Sequence, residues 1–291
     1  MSRCLVTGHR GYIGSKVFSA LESRGHEVMG IDLKDGHDIL RELKPGLDGK
    51  FHPHWANFEP EYIFHLAAIP RVAYSIDHPV EVVENNVLSA LYVLEFARAV
   101  GAKRVIYSSS SSVEGDGRGP ENPYGASKLM PESMCEVWAR LYGLDTVCLR
   151  YFNVYSPDQK AEGPYATAIA NWMQHIREGK RPFITGDGEQ SRDMAHAEDV
   201  VAANIFSMEY EGHFGGEHFD IGTGENISLN KVKDIVSNFF PSVEFDYVPA
   251  REGDVMSTRA NIRPLSSLGW KAERGIGEGI SECFRLLRET L

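Results

Sequence analysis

The stretch that most narrows the choice of fold lies near the N-terminus. The apolar run Arg3-Cys-Leu-Val-Thr7 leads into Gly8-His-Arg-Gly11-Tyr-Ile-Gly14 and then into a helical pattern through Val17, Ala20 and Leu21. Strand, glycine turn and helix in that order are the context that a dinucleotide fingerprint requires. The glycines permit a tight turn, let the backbone approach a pyrophosphate and let helix and strand pack closely, while the helix N-terminus faces the phosphates. A second strand pattern, Glu27-Val-Met-Gly-Ile31, ends at Asp32, 18 residues beyond Gly14. A carboxylate there can bond both ribose hydroxyls and repel a 2′-phosphate. Arg10, inside the loop, pulls the other way because a basic residue could attract that phosphate. Asp32 favours NAD over NADP.

The alternation of strand and helix continues downstream. From Lys34 to Pro60 periodicity is weak, and Asp38-Ile39 is open to two readings: an adenine-edge contact, with an acceptor beside an apolar platform, or part of a solvated loop. Glu61-Tyr-Ile-Phe-His-Leu66 reads as a buried strand, and Ala67-Ala68 would let a flat cofactor lie close to the backbone. His65, alone at a strand end, reads as structural. Asp77-His-Pro79 opens a long helix with Val80, Val83, Val87, Leu91 and Leu94 at helical spacing, interrupted by the amides Asn85 and Asn86 and ending at Gly101. The strand pattern Arg104-Val-Ile-Tyr107 precedes the serine run Ser108 to Ser112, so hydroxyls should emerge at a strand's C-terminal end, where open α/β sheets bind ligands. A helix follows from Tyr124-Gly-Ala-Ser-Lys128, with Met130, Met134, Val137 and Leu141 as its packing positions, and Asp145 to Tyr151 form a further strand. The order implies a doubly wound parallel sheet.

Tyr124 and Lys128, four residues apart, share one helix face. A phenol is a poor base near neutrality because its reference pKa is about 10. A nearby ammonium and a cationic cofactor ring would favour the phenolate, so the pair can act as a proton shuttle.

Beyond Asn153 the texture changes, and a boundary near 155 divides residues 1–155 from a second region, 156–291. Helix patterns at 165–178 and 198–209 flank the turn Gly186-Asp-Gly188, and a stretch at about 193–224, including the strand-like His218-Phe-Asp-Ile221, could return to the first sheet. Ser228 is placed to cap a helix through Leu229, Val232, Ile235 and Phe239, and Ile276, Ile280, Phe284 and Leu287 stripe the last helix. A formal net charge of -11 argues against a nucleic-acid partner. An anionic ligand must then be held by local arginines or helix N-termini. Four cysteines without C-x-x-C spacing read as reduced, buried thiols and not as a metal site. The chain enters a strand at once and has no apolar run of about 18 residues, so a soluble, cytoplasmic protein without a membrane partner is expected.

The ordered motifs resemble the extended short-chain dehydrogenase/reductase family, and within it the nucleotide-sugar 4-epimerases acting on UDP-hexoses and UDP-N-acetylhexosamines. They are Thr7-Gly8-x-x-Gly11-x-x-Gly14, His65-Leu-Ala-Ala68, Asn85-Asn-Val87, Ser108-Ser-Ser110, Tyr124-Gly-Ala-Ser-Lys128, Arg150-Tyr-Phe-Asn153, Ser191-Arg-Asp193 and Arg251-Glu-Gly-Asp254. The resemblance covers nearly the whole chain. It implies an α/β fold, a Rossmann-type doubly wound parallel sheet holding NAD, with a smaller α/β substrate-binding C-terminal region. Tyr124 would be the acid/base, Lys128 would orient the nicotinamide ribose and depress the tyrosine pKa, and Ser110 would hydrogen-bond the reacting oxygen. The expected cofactor contacts are Gly8, Gly11, Tyr12, Ile13, Gly14, Asp32, Leu66, Ala67, Ala68 and Ser108, with Asp38 and Ile39 on the first of their two readings, and the resemblance adds Asn85 and Phe152. Asn153, Thr167, Arg192, Arg251, Asp254 and Thr258 would contact a nucleotide-diphosphate sugar, with Thr258 weakly favouring a roomy sugar pocket. The long helix at 79–100 and the Tyr124 helix would pair two copies into a homodimer.

Departures from the family pattern qualify the reaction. The connection from Ser110 to Tyr124 is shorter than in typical relatives, Glu114 replaces a usual tyrosine, and Ser156 replaces a usual glycine. Sugar dehydratases of the family carry an Asp-Glu pair where this chain has Ser111 and Ser112, so elimination of water lacks its acid and base. A 4-epimerase working through a transient 4-keto sugar is the leading expectation. An NAD(P)-dependent keto-sugar reductase and a silent cofactor-binding protein are the alternatives.

Overall fold

The computed structural model describes residues 1–161, 167–250 and 256–291. Six strands form the main sheet: β1 (Arg3–Thr7), β2 (Glu27–Ile31), β3 (Tyr62–His65), β4 (Arg104–Ser110), β5 (Asp145–Tyr151) and β8 (His218–Ile221), in the order β2-β1-β3-β4-β5-β8. β1 runs parallel to both β2 and β3, and β3 parallel to β4. The chain winds from β1 to β2 in one direction and onward to β3 in the other. The order therefore reverses at β1, and the carboxyl ends of β1 and β3 flank the crevice where such sheets take ligands. Nearly continuous burial of β1, β4 and β5 fits strands covered on both faces.

The first compact unit comprises Met1–Glu114, Arg118–Arg150 and Val201–Phe219. Its core gathers Leu5, Ile31, Ile63, Val93, Phe96, Val105 and Cys148. The returning helix Ala197–Glu209 is clasped at its C-terminal end by Arg104. That buried guanidinium pairs through Nε with Asp145 at 2.6 Å and donates to the carbonyls of Ser207, Tyr210 and Gly212. Removing one member of so buried a group strands the other's charge, which costs about 3–5 kcal/mol.

Three local features differ from the sequence expectation. The stretch after Asp32 holds the short turns Leu33–Asp35, Ile39–Glu42 and Pro53–Ala56, and Ile39, Leu43 and Trp55 are buried in the core, so it is no solvated loop. Ser108, Ser109 and Ser110 belong to β4 itself. The long helix is three segments, Pro79–Val83, a π-helical turn Glu84–Leu88 and Ser89–Val100. The wider turn shifts the helix phase. Val80 is 67% exposed while Val82, Ala90, Val93 and Leu94 are buried.

The second unit comprises Gly115–Gly117, Tyr151–Val200 and Asp220–Leu291. Strand β6 (Phe183–Thr185) pairs with β10 (Asp246–Val248), while β7 (Ser191–Arg192) lies between β9 (Ile227–Ser228) and β11 (Ser257–Thr258). Ser228 caps the helix Leu229–Phe239 through Lys231 N–H, as its position predicts. That helix, Ala168–Arg177 and Ile276–Glu289 share a core of Trp172, Met173, Ile176, Val232, Val236, Ile280 and Phe284. All four cysteines are free and buried. Among the described residues no helix is long and apolar enough to cross a membrane.

Candidate active site

The glycine turn is built by steric necessity. Gly8 has φ +73°, and a Cβ there would lie 2.8 Å from Ala67 N; a Cβ on Gly14 would lie 2.1 Å from Gly8 O. Side chains at either point would force β1, the turn and the following helix apart. Thr7 Oγ1 lies 2.8 Å from His65 Nδ1 and accepts from Ala67 N–H at 3.2 Å, tying the ends of β1 and β3 together. Burial drives the His65 pKa down to about 3, aided by the Lys128 charge, so the ring stays neutral and structural. Helix Tyr12–Ser23, which includes Ile13, starts at Gly11 without a side-chain cap. Its positive end is thereby offered to an anion. Asp32, just past β2, accepts Arg10 N–H at 2.9 Å and Lys34 N–H at 2.8 Å. Close-approach glycines, an uncapped helix start and a carboxylate fit a dinucleotide with free ribose hydroxyls. Asp38 caps the turn at Ile39 through Leu40 N–H. Leu66 donates its N–H to Thr7 O at 3.2 Å, and Ala68 follows Ala67 in the same connection after β3.

At the end of β4 and the start of helix Pro123–Tyr142, three polar side chains are buried: Ser110 (9% exposed), Tyr124 (8%) and Lys128 (4%). The helix begins there because Asn122 accepts Gly125 N–H at 2.9 Å and Pro123 occupies the first turn. Tyr124 N–H donates to the buried Ser75 hydroxyl at 3.0 Å. Burial pushes the Tyr124 phenol up, and its hydrogen bond with Ser110 opposes that rise. The Lys128 ammonium donates to Ser108 O at 2.8 Å and lies 5.1 Å from the Tyr107 ring centroid. Burial lowers it to about 8, with Glu132 opposing.

Sequence reasoning missed the support behind these groups. Glu132, one turn beyond Lys128, accepts from Ser109 Oγ at 2.5 Å and is gripped by Arg150 Nε and Nη2 at 2.9 and 2.7 Å; Arg150 also reaches Glu114 at 3.2 Å. Its spacing of four from Lys128 was the available signal. The two asparagines of the π turn have distinct parts. Asn86 is buried and bonds Ile69 N–H, Ile69 O and Ser127 Oγ, whereas Asn85 donates to Asn86 Oδ1 at 3.0 Å.

In the second unit, β7 gathers several predicted residues. Thr258 is the register partner of Arg192, and Asp193 N–H donates to Thr258 O at 2.9 Å. Asn153, at φ +35°, donates from Nδ2 to Asp193 O at 2.7 Å. The Thr258 hydroxyl is buried with no hydrogen-bond partner among the described residues. Asp193 turns its carboxylate to Thr223, Gly224 and Ala260 N–H. Phe152 is fully buried, and Thr167 caps helix Ala168–Arg177 while donating to Gln159 at 2.8 Å. Arg251 and Asp254 lie outside the described residues.

The chain is 32% identical to the UDP-glucose 4-epimerase of Mycolicibacterium smegmatis, over 98% of both chains. Its structure resembles the UDP-N-acetylglucosamine 4-epimerase of Methanobrevibacter ruminantium solved with UDP-N-acetylmuramic acid (TM-score 0.87, 28% identity, covering 100% and 99% of the chains). It also resembles the Thermus thermophilus UDP-glucose 4-epimerase solved with NAD (TM-score 0.83, 28% identity, covering 99% and 100%). A family model matches residues 4–222. The chain belongs to the NAD dependent epimerase/dehydratase family.

Proposed function

We propose that the protein is a nucleotide-sugar 4-epimerase that uses NAD to interconvert UDP-hexoses or UDP-N-acetylhexosamines through a transient 4-keto sugar. The observation that carries this is the burial of Ser110, Tyr124 and Lys128 where β4 meets the Tyr124 helix. NAD, when bound, would supply reversible hydride acceptance at the sugar's C4. Tyr124 accepts the hydroxyl proton in the first half and gives it back in the second. Ser110, hydrogen-bonded to that phenol, steadies the reacting oxygen. Lys128, anchored on Ser108 O, holds a positive charge at the nicotinamide ribose. Glu132 and Arg150 are positioning residues behind this set. Ser111 and Ser112 offer no carboxyl pair for losing water.

The remaining assignments are part of the same proposal. Gly8, Gly11, Tyr12, Ile13, Gly14, Asp32, Asp38, Ile39, Leu66, Ala67, Ala68, Asn85, Ser108 and Phe152 serve the cofactor. Asn153, Thr167, Arg192, Arg251, Asp254 and Thr258 serve the nucleotide sugar, arginine being suited to diphosphate oxygens. The protein works in the cytoplasm as a homodimer paired through the long helix and the Tyr124 helix, a reading supported by the exposed Val80, Leu88 and Met130.

The test is to incubate purified protein with UDP-glucose or UDP-N-acetylglucosamine, without added dinucleotide, and follow the C4 epimers by NMR. Interconversion is expected. A strict need for NADPH and a keto-sugar substrate would replace this reading with the reductase.

A further inference from the structure

Two carboxylates follow β2, and they do different things. Asp32 takes backbone N–H groups, from Arg10 at Oδ2 and from Lys34 at Oδ1. Asp35, in the turn Leu33–Asp35, takes side chains of the glycine loop. Arg10 Nε lies 3.0 Å from each of its oxygens, Arg10 Nη2 lies 2.9 Å from Oδ1, and His9 Nε2 lies 2.9 Å from Oδ2. The arrangement is braced from behind. The His9 ring lies where a Cβ on Gly30 would sit, 2.4 Å from its atoms, and packs on Phe18 at 5.2 Å between centroids. Lys34 Nζ donates to Arg10 O at 3.2 Å, holding the loop's backbone to the same turn.

A guanidinium engaged by a carboxylate through two of its nitrogens is oriented and neutralised. The pair is exposed enough, at 57% for Arg10 and 28% for Asp35, to add little stability. Its consequence lies in what it withholds from a ligand. We infer that Asp35 determines dinucleotide specificity, by sequestering the Arg10 guanidinium that would otherwise attract a ribose 2′-phosphate beside Asp32. Preference for NAD then rests on two carboxylates, Asp32 meeting the ribose hydroxyls and Asp35 cancelling the loop's cation. The inference rests on the proposed dinucleotide site.

The test incubates wild type, D35N, D35S and R10M/D35N with equal concentrations of NAD and NADP, removes free ligand and measures the retained ratio by mass spectrometry. Wild type should retain mainly NAD. D35N and D35S should shift the ratio about tenfold toward NADP, the factor expected of one charge-assisted arginine–phosphate contact. R10M/D35N should return to the wild-type ratio. Unchanged ratios in D35N and D35S, or a shift that survives in R10M/D35N, would overturn the inference while leaving the dinucleotide site intact. A wild type retaining neither dinucleotide would overturn both.

Discussion

The Tyr124 helix and the last helix bury opposite kinds of face. Helix Ile276–Glu289 hides Ile276, Ile280, Cys283, Phe284 and Leu287, the stripe its sequence displays. Helix Pro123–Tyr142 hides Tyr124, Ser127, Lys128 and Glu132 beside Gly125, Pro131 and Cys135, while Met130 and Leu141 stand 46% and 65% exposed. The expected packing positions of that helix were therefore misassigned in part. Apolar burial drives a helix into a core unaided. A buried polar face must be satisfied group by group, and here Ser108, Ser109, Ser110, Ser75 and Arg150 do so. A helix that hides lysine and glutamate while exposing methionine and leucine is shaped by its chemistry more than by its packing.

That contrast can be tested from its strongest effect to its weakest. Tyr124→Phe should lower epimerisation by about 10³-fold, typical of losing a general acid/base, while keeping dinucleotide bound and the urea midpoint almost unchanged. Near-normal turnover would remove Tyr124 from proton transfer. Phe284→Ala should do the reverse, costing about 3–5 kcal/mol in urea unfolding through the cavity it leaves. Retained stability would mean that the second core collapses around the gap.

Lys128→Met probes the cost of the buried charge. The folded-state pKa of about 8 lies below the ordinary 10.5, so the unfolded chain binds more protons between those values and stability rises with pH across that window. Wild type should gain about 3 kcal/mol from pH 8 to 10.5 relative to Lys128→Met. Parallel stability curves for the two proteins would show that Lys128 is not depressed. The smallest effects come from the caps: Asn122→Ala and Ser228→Ala should each cost about 1 kcal/mol. Only Asn122→Ala should also slow turnover, since it frays the turn bearing Tyr124. Equal kinetics for the two variants would break the contrast.

Much of the architecture was legible because it depends on near neighbours in the chain. The strands from β1 to β5, the glycine turn between Thr7 and Tyr12, the Ser228 cap and the stripe of the last helix all arise from alternation, spacing and turn chemistry within a few residues. The same locality put Tyr124 and Lys128 on one face before any fold was known.

What tertiary structure alone decided are the choices made between distant segments. Whether Arg10 would meet a phosphate or a carboxylate depended on Asp35, 25 residues away. The phase of the long helix depended on a π turn whose Asn86 bonds Ile69 and Ser127. The return of the chain to β8 is secured by Arg104, more than 100 residues upstream of the carbonyls it binds. A side chain's propensity is a property of its own stretch, whereas a buried charge or amide settles only where a partner from elsewhere meets it.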